Sequence, residues 1–388
     1  MLKKLLLSFT YQPTSRDLKY LDGLRGLCAL WVFFIHYFPY VHKDLLPFFL
    51  GYQKWNAFVP LFFIISGRVN CLGVLKSGNP SKLVQSMIKR PFRLLVPLII
   101  IMLLDLVFKV FPIESVMECF LQPVWFLFCE APRPRHITWA IWTLQPEING
   151  SYLTYILTFI ILSFQDSRSK YVFLVIALIW YQLTHSWMTH FVAGLLFSVA
   201  SLDGLFERFS TWKHSFIAKC IVGLIAFLIS CKFSFLNVVD PLDEVVRSHL
   251  FYKGKQGVGN TGYEESWYVF LFSLTVLFLL ETTPLLQRIF SWKPFLFLGK
   301  ISFSLYLVHV YWMFLFGIPF TKLVHGSLPL LVAVPVSATI STLTLIIISY
   351  YMMSVLDIPS TMIGNYVLKS LQGRLQRFRT DEMDKLII

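Results

Sequence analysis

The sequence predicts an all-α, polytopic transmembrane helical bundle of about ten spans, with both termini in the cytosol. Two observations of composition and one of pattern lead to this fold class. Hydrophobic residues make up 56% of the 388 residues and charged residues only 14%, whereas soluble domains carry about 25% charged residues. The apolar residues form long runs, and the charges are concentrated between them. A soluble protein with these runs would expose large apolar patches, so the sequence requires a lipid bilayer as its solvent.

Ten apolar segments are candidate spans, and Pro, Gly or polar residues bound each of them. A straight helix needs about 20 residues to cross the hydrocarbon core, and several segments are shorter than that. The predicted spans are residues 24–40, 55–75, 94–111, 139–164, 171–183, 188–202, 216–235, 266–280, 301–320 and 328–355. They divide the chain into a cytosolic N-terminal segment (1–20), a membrane domain (21–360) and a basic cytosolic tail (361–388).

The basic residues between the predicted spans indicate the orientation of the chain. With the N-terminus in the cytosol, 21 Lys and Arg residues fall in cytosolic segments and 9 in segments on the other side. An even number of spans with both termini in the cytosol satisfies the positive-inside rule throughout. The net charge of +13 is therefore explained by topology and by attraction to anionic lipid. It is not gathered into a basic domain that would bind nucleic acid.

Arg25 and His36 are predicted to lie on one face of the first span. Ionisable side chains inside a span are costly, so each is a candidate functional residue. Eleven positions at 100° per residue return a side chain to within about 20° of its first direction, roughly 16 Å further along the axis. Arg25 then lies near the cytosolic mouth and His36 more than halfway across. The structural alternatives are a topological anchor for Arg25 and a hydrogen-bonded packing histidine for His36.

Two further ionisable residues are candidates for the same site. His309 lies in the ninth predicted span at a depth comparable to that of His36. Glu147 enters the fourth span beside Pro146 and Gly150, and membranes tolerate such helix breakers where they line a cavity. The two histidines and the carboxylate are predicted to meet near the midplane, where a carboxylate-oriented histidine is a competent general base. The alternatives are an interfacial carboxylate for Glu147 and a hydroxyl partner for His309.

No Ser or Cys nucleophile stands out in the sequence, and this favours direct transfer assisted by a base. The six cysteines show neither a CxxC pair nor a histidine-flanked metal spacing, so no metal site and no permanently bound cofactor are predicted. The longest predicted outer loop, residues 236–265, is either a lid that faces substrate or a solvated connector.

Six motifs, in order along the chain, resemble the acyltransferase type 3 family of polytopic membrane O-acyltransferases, and their style is most like that of fungal members. The motif of the first span contains the spacing of Arg25 and His36, and the motifs together extend over most of the chain. The six motifs are LDGLRGLCALWVFFIHYF (21–38), VPLFFIISG (59–67), KRPFRLLVP (89–97), IWTLQPE (141–147), FLGKISFSLYLVH (297–309) and LDIPS (356–360).

The resemblance implies transfer of an acyl group, usually acetyl from acetyl-CoA, to a hydroxyl of a small metabolite, as in a secondary-metabolite pathway, or of a carbohydrate. It makes His36 the general base, and we group His309 and Glu147 with it as catalytic residues. The resemblance implies that the phosphates of the CoA co-substrate bind to Arg25, Arg90 and Arg93. The expected partners are the acyl-CoA donor, a hydroxylated acceptor and the bilayer of either an endomembrane or the plasma membrane.

Two other functions are weighed against acyl transfer: a membrane transporter, and a catalytically inactive scaffold or receptor of the same fold. The sequence shows no internal repeat of the kind that many transporters carry. The sequence also departs from the family pattern at Arg68, where relatives continue with apolar residues. Arg68 is expected to be an extra ligand contact or to change the specificity.

Overall fold

The computed structural model describes residues 18–41, 58–110, 115–128, 141–184, 186–230 and 267–387. All regular elements in these ranges are helices, as the predicted fold class requires. A 3₁₀ turn at Ile141–Thr143 and a π-helical turn at Met313–Gly317 join the α-helices. The α-helices are α1 Lys19–Val41, α2 Phe58–Asn70, α3 Leu72–Ser77, α4 Pro80–Phe108, α5 Val116–Phe128, α6 Leu144–Leu162, α7 Ser167–Leu183, α8 Met188–Leu202, α9 Leu205–Thr211, α10 Ser215–Ser230, α11 Trp267–Thr282, α12 Pro284–Phe290, α13 Lys293–Trp312, α14 Ile318–Ser327 and α15 Leu330–Ile387.

Each of the ten predicted apolar segments coincides with one or more helices, but fewer helical stretches are long enough to span a membrane. Two bent pairs, α8–α9 and α11–α12, raise the number of candidate spans from five to seven if each pair is one span. Helices α7 and α10 have only 17 and 16 residues, which is shorter than the hydrocarbon core requires. The count of ten and the cytosolic placement of both termini therefore stay predictions. The five candidates in the described ranges are Lys19–Val41, Phe58–Ser77, Pro80–Phe108, Lys293–Ser327 and Leu330–Arg374.

The two bent pairs are broken spans or re-entrant segments, with bends of 68° at α8–α9 and 98° at α11–α12. A break in the membrane is stable only where the freed backbone groups find other partners. The side-chain amide of Gln287 supplies such a partner at the second bend. Its Nε2 donates to the carbonyl oxygens of Leu280 and Glu281, both at 3.0 Å. Pro284 begins the helix that follows, at the position where a missing N–H costs nothing.

Helices α1 and α13 pack closely because glycines line their contact. A methyl group added at Gly26 would overlap the backbone of Gly299, and one added at Gly299 would overlap the backbone of Asp22. Small residues of this kind allow the backbones of membrane helices to approach each other. The close packing places the C-terminal half of α1 beside the C-terminal half of α13, and these halves carry His36 and His309.

Helix α4 begins much earlier than the predicted third span. It starts at Pro80, where the side chain of Asn79 accepts from the amide of Ser81 at 2.9 Å, and it continues through Pro91. Its 29 residues extend over about 43 Å, which exceeds the thickness of the hydrocarbon core. The apolar pattern places Arg90 and Arg93 in a cytosolic segment before the predicted span. In the structure both are helical and line cavities described below, and their position on the cytosolic side stays a prediction.

Two other elements differ from the sequence analysis. Helix α5 forms within a segment that was predicted to connect the third and fourth spans. The tail predicted for residues 361–388 continues α15 as a helix to Ile387. The predicted outer loop of residues 236–265 lies outside the described residues.

Candidate active site

His36 on α1 and His309 on α13 form a direct hydrogen bond. The Nδ1 of His36 lies 2.9 Å from the Nε2 of His309, and the two rings are nearly parallel, with an interplanar angle of 8°. The Nδ1 of His309 lies 2.6 Å from the backbone carbonyl oxygen of Tyr306. His309 is fully buried and His36 is partly buried. The structure therefore brings the two predicted histidines together.

The hydrogen-bond chain determines which nitrogens of the neutral pair carry protons. A carbonyl oxygen only accepts, so the Nδ1 of His309 is the protonated nitrogen of that ring. The Nε2 of a neutral His309 is then an acceptor, and the Nδ1 of His36 must donate to it. A neutral imidazole carries one N–H, so the Nε2 of His36 has the lone pair. This nitrogen is the basic atom of the pair.

Glu147 binds to other partners than the histidines. Its Oε1 accepts from the Oγ of Ser66 at 2.7 Å and from the guanidinium of Arg90. The sequence predicts that two histidines and a carboxylate meet at one point. In the structure the two histidines meet, and the carboxylate does not join them. The reason is the position of Arg90. Because α4 begins before residue 90, the guanidinium of Arg90 reaches the start of α6. There it forms an ion pair with the partly buried carboxylate of Glu147, which is a strong interaction.

An inner cavity with about 770 Å³ of empty space lies between α1, α2, α4, α6 and α13. Charged and polar side chains from all five helices line it, together with an apolar wall that includes Phe62 and Phe63. Arg25, Arg90, Arg93 and Glu147, four of the residues singled out in the sequence, are among the lining residues. The other polar lining residues are Ser66, Asn70, Thr143, Ser302 and Tyr306.

Tyr306 connects the inner cavity with the histidine pair. Its side chain lines the cavity, and its hydroxyl lies 2.7 Å from the Oγ1 of Thr143. Its backbone carbonyl accepts from His309, whose ring centroid lies 5.7 Å from that of Tyr306. Tyr306 lies within the motif FLGKISFSLYLVH (297–309), and the sequence predicts no role for it. A tyrosine in an apolar run is also a common packing residue.

The three predicted phosphate-binding arginines have different environments. Arg25 is partly exposed and lies 3.4 Å from the Oδ1 of Asp22, and Arg93 is exposed. Arg90 is buried, with 9% of its surface exposed, and its Nε has no hydrogen-bond partner among the described residues. A buried N–H without an acceptor is costly, so an acceptor atom of a bound ligand would be favourable there.

Arg68, the departure from the family pattern, forms a buried ion pair. Its Nε lies 2.8 Å from the Oε1 of Glu281, and the hydroxyl of Tyr20 donates to the Oε2 of Glu281 at 3.0 Å. Arg68 is 1% exposed and Glu281 5%. Arg68 is therefore engaged within the protein and joins α2 to the end of α11. Glu281 is not among the site residues predicted from the sequence. An acidic residue at the end of an apolar run is nevertheless the kind of signal that singled out Glu147.

No group of three His, Cys, Asp or Glu side chains lies close enough to hold a metal ion in the ranges that the structure describes. Cys28, Cys71 and Cys119 are free and buried. Burial in an apolar environment makes a thiol an inert small hydrophobe. The described side chains that are able to bind a ligand in the inner cavity are therefore arginines, hydroxyls, an amide and a carboxylate.

Comparison with known proteins gives one match. A family model described as an acyltransferase domain, of type 3, matches residues 18–353, a range that contains all six predicted site residues. No curated protein and no solved structure matches the chain. The matched range covers most of the 388 residues and four complete candidate spans. The chain therefore belongs to the acyltransferase type 3 family and is an integral membrane protein.

Proposed function

We propose that this protein transfers an acyl group, acetyl from acetyl-CoA, to a hydroxyl group of a small metabolite or a carbohydrate. The observation that carries the proposal is the hydrogen-bond chain from Tyr306 through His309 to His36. This chain leaves a basic nitrogen on His36 and connects it, through Tyr306, to a cavity lined by three arginines. The family match supports acyl transfer in general. The acetyl donor and the hydroxylated acceptor are the parts that we add.

The proposed chemical step is direct attack on the thioester. The acceptor hydroxyl gives its proton to the Nε2 of His36 while its oxygen forms a bond to the thioester carbonyl carbon. The tetrahedral intermediate then collapses, the carbon–sulfur bond breaks, and the CoA sulfur takes the proton back from His36. The products are the ester and free CoA, and the histidine returns to its neutral form.

His309 is a positioning residue in this proposal. Its Nε2 accepts from the Nδ1 of His36, and this bond orients the ring and keeps the Nε2 of His36 deprotonated. When His36 takes the proton, the same bond is donated by a cation and becomes stronger. The backbone carbonyl of Tyr306 holds His309 in the tautomer that this role requires.

In this proposal the arginines bind the acyl donor, and Glu147 orients Arg90. Arg25 and Arg93 are accessible enough to contact the phosphates of the donor, and a guanidinium fork suits phosphate recognition. Glu147 accepts from Ser66 and Arg90. Glu147 therefore holds the guanidinium nitrogen of Arg90 that faces α6. The Nε–H of Arg90 can then donate to an acceptor atom of a ligand in the inner cavity.

The test uses the full chain, purified and reconstituted in lipid nanodiscs, with radiolabelled acetyl-CoA and a panel of hydroxylated acceptors. We expect a labelled ester, and we expect His36→Ala to lower the rate by roughly 10²-fold or more, the usual contribution of a general base. His214→Ala is the matched control, because His214 is exposed on the segment between α9 and α10. Full activity in His36→Ala contradicts the base assignment. Uptake of substrate into vesicles without acylated product contradicts acyl transfer and favours a transporter.

A further inference from the structure

Three helices meet behind the wall of the inner cavity at one carboxylate, that of Glu281 on α11. The guanidinium of Arg68 on α2 forms two bonds with it, from Nε to Oε1 at 2.8 Å and from Nη2 to Oε2 at 3.4 Å. The hydroxyl of Tyr20 on α1 donates to Oε2 at 3.0 Å. We call these three residues the Glu281 junction. The junction connects α11 with α1 and α2, and both of these helices line the inner cavity.

The Glu281 junction lies on the faces of α1 and α2 that point away from the inner cavity. Arg68 follows Ser66 by two positions, which is about 200° around the helix. Tyr20 precedes Arg25 by five positions, which leaves the two side chains about 140° apart. Ser66 and Arg25 line the inner cavity, and no member of the junction is among the described residues that do. The junction therefore acts on a ligand there only through the helices that it holds.

The bend between α11 and α12 holds Glu281 in place. The side-chain amide of Gln287 donates to the backbone carbonyl of Glu281, so the backbone of this residue is fixed as well as its carboxylate. Beyond the bend, α12 packs directly on α1. A methyl group added at Gly23 would lie 1.8 Å from the carbonyl oxygen of Phe290. The junction therefore belongs to a rigid corner of the bundle, which is what the accurate placement of a site requires.

Stability alone does not explain a buried ion pair such as that of Arg68 and Glu281. The desolvation of two charges costs about as much free energy as their attraction returns, so an apolar pair of similar volume is often equally stable. A guanidinium fork, in contrast, fixes the distance and the direction of its carboxylate partner. On the opposite face of α2, Ser66 donates to Glu147, which holds Arg90. The ion pair thus determines where α2 presents Ser66.

We infer that Arg68 and Glu281 are positioning residues for acyl transfer. Their ion pair fixes α2 relative to α1 and thereby holds Ser66, Glu147 and Arg90 in the arrangement that binds the donor. The inference rests on the proposed function for the reaction. It goes beyond that function because it adds two residues that do not contact substrate. It also gives Arg68 a role other than the ligand contact or the change of specificity expected from the sequence.

The first experiment removes both charges of the ion pair. Arg68→Met alone leaves the carboxylate of Glu281 buried without its cation, and we expect it to lower the yield of folded protein. The neutral double variant, Arg68→Met with Glu281→Gln, keeps an acceptor for Tyr20, and we expect its thermal unfolding in nanodiscs to stay close to wild type. Its KM for acetyl-CoA should rise about tenfold, with kcat within about twofold of wild type, as for a loss of binding alone.

Arg68→Lys is the second variant, and it keeps the positive charge beside Glu281 but loses the fork. We expect wild-type stability and a KM between those of the wild type and the neutral double variant. Wild-type KM in both Arg68→Lys and the neutral double variant overturns the inference, because the ion pair then contributes to folding alone. A neutral double variant that does not fold, together with a wild-type KM in Arg68→Lys, also overturns it.

The second experiment asks whether the ion pair acts through Ser66. Ser66→Ala should raise KM alone, and it should add little in the neutral double variant, because residues that act through one another are not additive. Effects on KM that multiply overturn the inference. Tyr171→Phe is the matched control, since it removes a hydrogen bond of 3.0 Å to Asp203 between α7 and the end of α8. No described residue of α7 or α8 lines the inner cavity, so KM should not change.

A measurement without turnover separates this inference from the proposed function. Spin labels at Lys19→Cys on α1 and Lys76→Cys on α3, both exposed positions, report the distance between α1 and the α2–α3 segment. Cys129, Cys220 and Cys231 are replaced by serine in the parent chain. We expect a broader distribution of distances in the neutral double variant than in this parent, and an unchanged distribution overturns the inference. A broader distribution in a protein that forms no ester supports the junction and contradicts acyl transfer.

Discussion

At the scale of single residues, the proton on His36 Nδ1 is the most consequential feature of the proposed mechanism. Its position follows from the carbonyl oxygen of Tyr306, which only accepts hydrogen bonds. The Nε2 of His309 must therefore accept from His36. A residue that accepts at the same place should preserve the tautomer, and a residue that does not accept should lose it.

We therefore predict different results for two substitutions of His309. The side-chain oxygen of His309→Gln comes close to the position of Nε2 and is expected to retain activity to within about tenfold. His309→Phe fills the space without an acceptor and should lose roughly 10²-fold in kcat. The pH–rate profile is the second measurement: it should change shape in the Phe variant and stay similar to wild type in the Gln variant. Equal losses in the two variants would mean that His309 acts by packing alone.

At the scale of elements, the contact between α1 and α13 decides whether the histidines meet. The two rings lie on different helices, 273 positions apart, and the helices approach each other through Gly26 and Gly299. Interhelical distance in a membrane is determined by side-chain volume at the contact. A small increase in side-chain volume in the N-terminal halves of these helices should therefore change the distance between the two histidines.

The prediction at this scale is that Gly26→Ala destabilises the protein and lowers its activity. The added methyl group overlaps the backbone of Gly299, and overpacking of this kind costs about 1–3 kcal/mol. Thermal unfolding in detergent and the rate of acyl transfer are the two measurements. Gly223→Ala on α10 is the control, because a methyl group there meets no atom within 4 Å. Unchanged stability and rate in Gly26→Ala would argue against a close α1–α13 contact.

At the scale of the whole molecule, the distribution of basic residues predicts that both termini lie in the cytosol. The described helices contain five to seven candidate spans, and the number of spans decides whether the two termini share a side. Lys19, Arg93 and Lys300 line one cavity between α1, α4, α13 and α15, and the charge pattern predicts all three on the cytosolic side.

The corresponding prediction is that epitope tags at the two termini are both accessible from the cytosol. Protease added to sealed, right-side-out vesicles should leave both tags intact, and permeabilisation should expose both. A tag on each side of the membrane would require an odd number of spans. In that case the count of ten spans is wrong.

The sequence alone was informative about local properties. Hydrophobic runs predicted where the helices lie, because apolar length and helical periodicity are properties of neighbouring residues. The same reasoning singled out His36, His309 and Glu147, since an ionisable group inside a span is expensive wherever it occurs. The motifs identified the family that the comparison then confirmed. The start of α4 was predicted less well than the other helices. Pro91 and the charges beside it indicate a boundary in the sequence, but the helix continues through them in the structure.

Only the tertiary structure decided which of these residues are partners. His36 meets His309, Glu147 meets Arg90, and Arg68 meets Glu281 across 213 positions. Such pairs depend on the order in which helices pack and on how closely they approach, and glycine contacts and bends determine both. Neither the period nor the composition of one segment contains that information. The sequence thus determined a membrane helix bundle with buried ionisable groups. The packing of its helices decided which of those groups form hydrogen bonds or ion pairs with each other.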